Sequence, residues 1–234
     1  MRTSLALSCL THLKLLIYSL AVAGVLSLSA CAAAPSPTAP SILIAPDTLL
    51  SVDQVFYRAF AQNGFESPDR LEPARRLPGP LRIYLRTEDD AGRAIDPLTL
   101  DSTERVLLES APIWSGGQFG VAELSRGTGS REHVRGWLTI KWAMANASDR
   151  CGRSTVGIDG GFIEFNDLGA CSCGERSRIY PRLVRHELGH AMGYYHTDDI
   201  GDVMYGQAIG REACDLQPSE RERRHARIFY NQSQ

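Results

Sequence analysis

The chain has 234 residues, 43% of them hydrophobic and 22% charged, enough for one domain with a sizeable core plus an appendage. Its net charge of −2 lacks the basic excess expected of a protein that works on nucleic acid or an acidic membrane surface. No internal repeat is visible.

Arg2 and Lys14 are the only charges before position 30, and Leu15 to Leu28 is almost wholly apolar. A basic start, an apolar stretch and small residues ahead of a cut site form a secretory signal. The apolar run is shorter than the ~20 residues that span a bilayer. Leu28-Ser29-Ala30-Cys31 resembles the bacterial lipobox, whose cysteine is acylated and becomes the first mature residue. Residues 1–30 then read as a lipoprotein signal peptide. Residues 31–46, with the Pro-rich AAAPSPTAPS, read as a flexible linker from a lipid anchor on Cys31. Ala32 follows the cysteine, with no aspartate there, so the resemblance implies export to the bacterial cell envelope as an outer-membrane lipoprotein. An ordinary cleaved signal, with Cys31 a stray thiol, is the rival.

Residues 47–80 form an N-terminal helical extension. Within it, 47–63 carries apolar residues at helical spacing, with Asp47 placed to cap the start and Gly64 to end it. SPDRLEPARRLPGP, 67–80, is a proline-broken connector. The helix of the segment 42–80 could pack on the domain that follows, cross a cleft as a propeptide, or space the domain from a membrane, with packing or spacing the preferred reading. LRIYLR, 81–86, predicts a strand. Asp101-Ser102-Thr103-Glu104 predicts the start of a helix that runs to about Trp114 and ends at Gly116-Gly117. Alternation predicts strands over 118–126 and 136–144, then short ones over 154–160 and 161–167. Pro181 opens a helix reading PRLVRHELGHAMG, in which Leu183 and Val184 are core. After a loop over 197–217, Ser219 and Glu222 form a capping box for the last helix. The expected fold class is α+β: a twisted, mixed five-stranded sheet with three main helices over 81–234. His133 and His225 read as surface residues.

Of six cysteines, Cys9 leaves with the signal and Cys31 is the lipid site. Cys151, Cys171, Cys173 and Cys214 remain, an even number that suggests two disulfides in an exported protein. Cys171 and Cys173 stand too close in sequence to bridge each other readily, so each is expected to reach Cys151 or Cys214. A thiolate zinc site is the alternative, but CxC is tighter than the usual spacing of structural zinc.

Residues 186–196 read HELGHAMGYYH. His186 and His190, four apart, share one helical face, the spacing at which two imidazoles can hold one zinc ion. Gly193 lets the helix stop and turn, so that His196 can return to the same ion. Three nitrogen ligands leave the fourth position for water, as catalytic zinc sites do. Glu187 can then act as general base on that water. The alternative is a helix that merely carries histidines.

This HExxHxxGxxH pattern resembles the metzincin metallopeptidases. The likeness is closest to the matrixins, whose HSxDPGALMYP segment is similar to HTDDIGDVMYG here. It spans roughly residues 80–232, but only 186–206 is specific. It implies a metzincin-like zincin fold, one catalytic Zn2+, a protein or peptide substrate, and Met204 as a methionine-turn floor under the imidazoles. It also implies that an edge strand, 154–161, binds substrate, with Gly157 allowing close approach, and that Tyr205 walls a substrate pocket. The resemblance also implies structural Ca2+, for which Asp159 and Asp167 are the candidate ligands. Thr197 and Gly206 depart from the matrixin serine and proline, and the propeptide cysteine switch is absent. The reading is a monomeric, bacterial, matrixin-like zinc endopeptidase. The rivals are a zinc- or ligand-binding lipoprotein without catalysis and a hydrolase of peptidoglycan peptides.

Overall fold

The structure is a computed structural model, and it describes residues 51–143, 150–166, 179–207 and 214–231. The expectations for residues 1–50, including Cys31 and Asp47, and for Cys171, Cys173 and Asp167 lie outside the described residues.

The elements are α1 (Ser51–Gln62), β1 (Leu81–Arg86), α2 (Pro97–Trp114), β2 (Val121–Gly127), β3 (Trp137–Ala143), β4 (Gly152–Ser154), β5 (Phe162–Asn166), α3 (Pro181–Ala191) and α4 (Glu220–Asn231). Five strands form one mixed sheet in the order β2-β1-β3-β5-β4. All neighbours run parallel except β4, which lies antiparallel on the β5 edge. In β1, Leu81, Ile83 and Leu85 are buried while Arg82, Tyr84 and Arg86 are half-buried, the period of two that a pleated strand imposes. Helices α2 and α3 pack together and against the sheet. On β1 and β3, Arg82 and the loop residue Arg131 stack over the Trp137 ring.

Three boundaries differ from expectation, each for a local reason. Helix α2 begins earlier, because the Asp96 carboxylate caps the Thr99 N–H at 3.0 Å and Pro97 supplies the first turn. Helix α1 ends at Asn63, which takes the left-handed conformation (φ 57°), while the Gly64 N–H bonds back to the Arg58 carbonyl at 2.8 Å. The edge strand is only Gly152–Ser154, and residues 155–161 turn back towards β5 instead of extending.

Helix α1 does not stand apart. Phe56, Phe60, Ala61 and Leu77 belong to the same buried cluster as Ile83, Trp114, Leu188 and Phe229. Phe60 is fully buried and stacks on Tyr194 with centroids 4.2 Å apart, a burial worth about 1.5–3 kcal/mol. Phe56 lies over the His225 ring at 4.5 Å. His225 is therefore a core residue at 1% exposure, against the surface position expected from sequence. The reason is α1 itself, which covers the face of α4 that an isolated helix would leave wet. His133 is exposed, and Leu183 and Val184 are buried, as expected. Among the described residues, no helix is long and apolar enough to cross a membrane.

Candidate metal centre

Helix α3 opens at Pro181 and is buried on nearly every side, including Arg182 and Arg185. Those guanidinium groups are met by the following loop. Arg182 donates to the Tyr205 carbonyl at 2.8 Å, and Arg185 reaches Asp215 at 2.8 Å. On the other side the Trp114 indole donates to the Arg185 carbonyl at 2.9 Å. The helix is thus fixed before any of its chemistry is considered.

His186, His190 and His196 come together with one nitrogen of each within 4.8 Å of the others. Their rings stand 4.7–5.2 Å apart. Every Nδ1 already has an acceptor: the Val203 carbonyl for His186 and the Tyr194 carbonyl for His190, both at 2.7 Å, and the Glu66 carboxylate for His196 at 2.5 Å. Each Nδ1 therefore carries a proton and donates it, which leaves each Nε2 to face the other two rings. The Nε2 atoms of His190 and His196 lie 3.1 Å apart. At that separation the two nitrogens can share either a proton or a metal cation. Nitrogens on one tetrahedral ion at 2.0–2.1 Å would stand roughly 3.3 Å apart, so the His190–His196 pair is spaced for one ion and the trio could hold a metal. Burial, with the other two imidazoles, drives His186 well below the ordinary histidine value. Burial also takes His190 down to about 3. Both are neutral, as ligands must be. Among the described residues this is the one group of three or more potential ligands that could hold a metal.

The turn after α3 follows from Gly193. Its φ is 107°, and its N–H bonds the His190 carbonyl at 2.8 Å. A second demand was not visible in the motif: a Cβ on Gly193 would meet the Arg75 carbonyl oxygen at 1.9 Å. A Cβ on Gly157, at φ 56°, would meet the same oxygen at 2.3 Å. The close approach that Gly157 permits is thus made by the chain's own extension.

Met204 is fully buried, and its sulfur would be 2.4 Å from a Cβ on Gly189, between the first two histidines. The absence of that side chain lets the thioether lie against α3. The turn hangs from α4: Glu222 accepts the N–H groups of Val203 (3.1 Å), Met204 (2.8 Å) and Ser219 (2.7 Å). Ser219 Oγ accepts the Glu222 N–H in return at 3.2 Å, completing the expected capping box. Thr197 donates to the buried Asp202 at 2.8 Å, and Arg221 closes that carboxylate from outside. Tyr205 is half-buried, with its hydroxyl 3.3 Å from Gln207.

Glu187 is 3% exposed, and among the described residues its Oε2 has no hydrogen-bond partner. Burial pushes its carboxyl up to about 8, against a lowering influence of Arg150. Gly152, at the start of β4, lies over it so closely that a Cβ there would be 2.7 Å from Glu187 Oε1. Asp159 is engaged by the Gly136 N–H and by Arg135. Cys151 and Cys214 are not free thiols.

Sequence reasoning missed Glu66, a single glutamate 130 residues from its histidine, and no local pattern marks it. Comparison of the chain with known protein families and with curated proteins finds no match.

Proposed function

We propose that the chain is a zinc-dependent endopeptidase of the matrixin-like metzincin type. The observation that carries this reading is a buried carboxylate with an unsatisfied oxygen, Glu187, next in sequence to one of three converging neutral imidazoles. A purely structural site would have no use for it.

A zinc ion on the three Nε2 atoms would polarise the scissile carbonyl and lower the pKa of a water towards ~7. Glu187 would take the proton from that water and return it to the leaving nitrogen. In the metal-free protein Glu187 keeps its own proton at neutral pH, since its value is about 8. A cation held by the three imidazoles would favour the carboxylate form of Glu187. The substrate backbone would lie along β4, Gly152–Ser154, the edge strand of the sheet among the described residues. Tyr205 would line the pocket beyond the cut bond. Two disulfides among Cys151, Cys171, Cys173 and Cys214 would brace the segments on either side of α3. Export on a Cys31 lipid anchor, as a monomer in the outer membrane, completes the reading.

The test is cleavage of a mixed peptide library by the full chain beside Glu187→Ala, with the zinc content of both. Cleavage by the wild type alone, with about one zinc in each, is the expected result. Zinc in both and cleavage by neither would reduce the protein to a metal-binding lipoprotein. Cleavage confined to peptidoglycan peptides would move it to the other hydrolase class.

A further inference from the structure

The three histidines are not held alike. His186 and His190 are oriented by backbone carbonyls of the turns that follow them, Val203 and Tyr194. His196 is the more exposed ligand, and its Nδ1 is held by a side chain from the other end of the chain, Glu66. Glu66 does not belong to the group of potential ligands. The two ring nitrogens point away from each other, so a carboxylate on Nδ1 braces the ring from behind.

Glu66 is also carried on a built support. After α1, Ser67 N–H bonds the Asn63 carbonyl at 2.9 Å, and Glu72 N–H returns to the Gln62 carbonyl at 2.8 Å. These bonds close residues 62–72 into a compact loop with Glu66 near its apex. The loop is pinned on both sides. Phe60 O accepts the Tyr195 N–H at 2.8 Å, and Arg75 O packs against Gly193 and Gly157. The extension therefore tracks the His190–His196 turn along its length.

We infer that Glu66 is a positioning residue of the metal site, so that residues 51–80 are a working part of the centre and not a removable cover. The inference rests on the metal-binding reading of the three histidines. A carboxylate on the far nitrogen fixes the tautomer and orientation of a ligating imidazole and raises its basicity. Losing such a partner commonly weakens metal affinity about 10–100-fold. Removing this segment should weaken the site, where removing a propeptide would open it.

The experiment measures the zinc dissociation constant of the full chain by competition with a chromophoric chelator. Glu66→Ala, Glu66→Gln and Glu72→Ala are compared with the wild type, and the Co2+ absorption spectrum of each reports ligand geometry. Glu72 is the control, an acid of the same loop whose carboxylate bonds Arg75 and makes no hydrogen bond to His196 among the described residues. Thermal midpoints of the metal-free chains check that all are folded. Glu66→Ala should bind zinc about 10–100-fold more weakly and alter the Co2+ spectrum. Glu66→Gln, which keeps an acceptor, should recover part of the loss, and Glu72→Ala should bind as the wild type does. Zinc binding by Glu66→Ala within about twofold of the wild type, well short of the range expected for such a partner, overturns the role of Glu66 and leaves the metal reading standing. Equal weakening by Glu72→Ala overturns it too, because loop charge or packing would then explain the loss. A wild-type chain that binds no zinc overturns both readings.

Discussion

Two glutamates lie buried at opposite ends of the same stretch of structure, and they are treated differently. Glu222, fully buried on α4, accepts three backbone N–H groups and holds up the turn that carries Met204. Glu187, 3% exposed on α3, has an oxygen that accepts from none of the described residues. Burial raises both carboxyls, Glu187 to about 8 and Glu222 to about 7, the latter helped by Asp202 and opposed by its N–H donors. A buried carboxylate with every bond made belongs to the architecture. One left short of partners is a cost that the fold carries for another purpose.

The sharpest way to break this contrast is Glu187→Gln. On the proposed peptidase reading it should cut activity by about 10²–10⁴-fold, the usual worth of a general base, while zinc content stays unchanged. Activity within a few-fold of the wild type would remove Glu187 from the reaction.

Glu222→Ala should do the reverse. Three N–H groups lose their acceptor at about 1 kcal/mol each or more, so a loss of about 3 kcal/mol is expected in urea unfolding. A variant as stable as the wild type would show that the turn stands without α4.

The pH dependence separates the pair more gently. In the unfolded chain Glu187 titrates near 4.5, and in the metal-free fold near 8. The folded state holds the extra proton between those values. Its contribution is complete below pH 4.5 and drains away as the pH rises to 8. Glu187→Gln should therefore flatten the fall in metal-free stability across that window. An unchanged slope would mean that Glu187 is better solvated than its position implies.

His225 should give the smallest effect, of opposite sign. Burial lowers it below 6.5, against raising contacts from the Arg221 carbonyl and Asp53 and a lowering one from Arg224. Stability is complete above pH 6.5 and declines as the pH falls, because the unfolded chain takes the proton more readily. His225→Gln should remove that acid-side decline in urea midpoints. Its persistence would assign the decline elsewhere.

Much of the candidate centre was legible in HELGHAMGYYH because its geometry is local. Four residues bring His186 under His190, and a left-handed glycine returns His196 within one turn. The capping box at Ser219 and Glu222 was equally local. What escaped depends on distant partners. The second reason for Gly193 is Arg75, and the brace on His196 is Glu66. The burial of His225 requires α1 across it. The short β4 escaped for a different reason, since Gly157, Gly160 and Gly161 suit a strand and a turn equally well.

The threading of the Arg75 carbonyl between two glycines also bears on the order of events as the chain folds. The third histidine cannot settle until segments more than a hundred residues apart have met, a contact of high sequence separation that closes late. Helix α3 can form early and offer two imidazoles, but the third arrives with the last docking step. Metal capture during refolding should therefore lag behind helix formation. Stopped-flow mixing with Co2+, followed beside far-ultraviolet dichroism, would reveal that delay, and simultaneous phases would show that the trio assembles without its distant support.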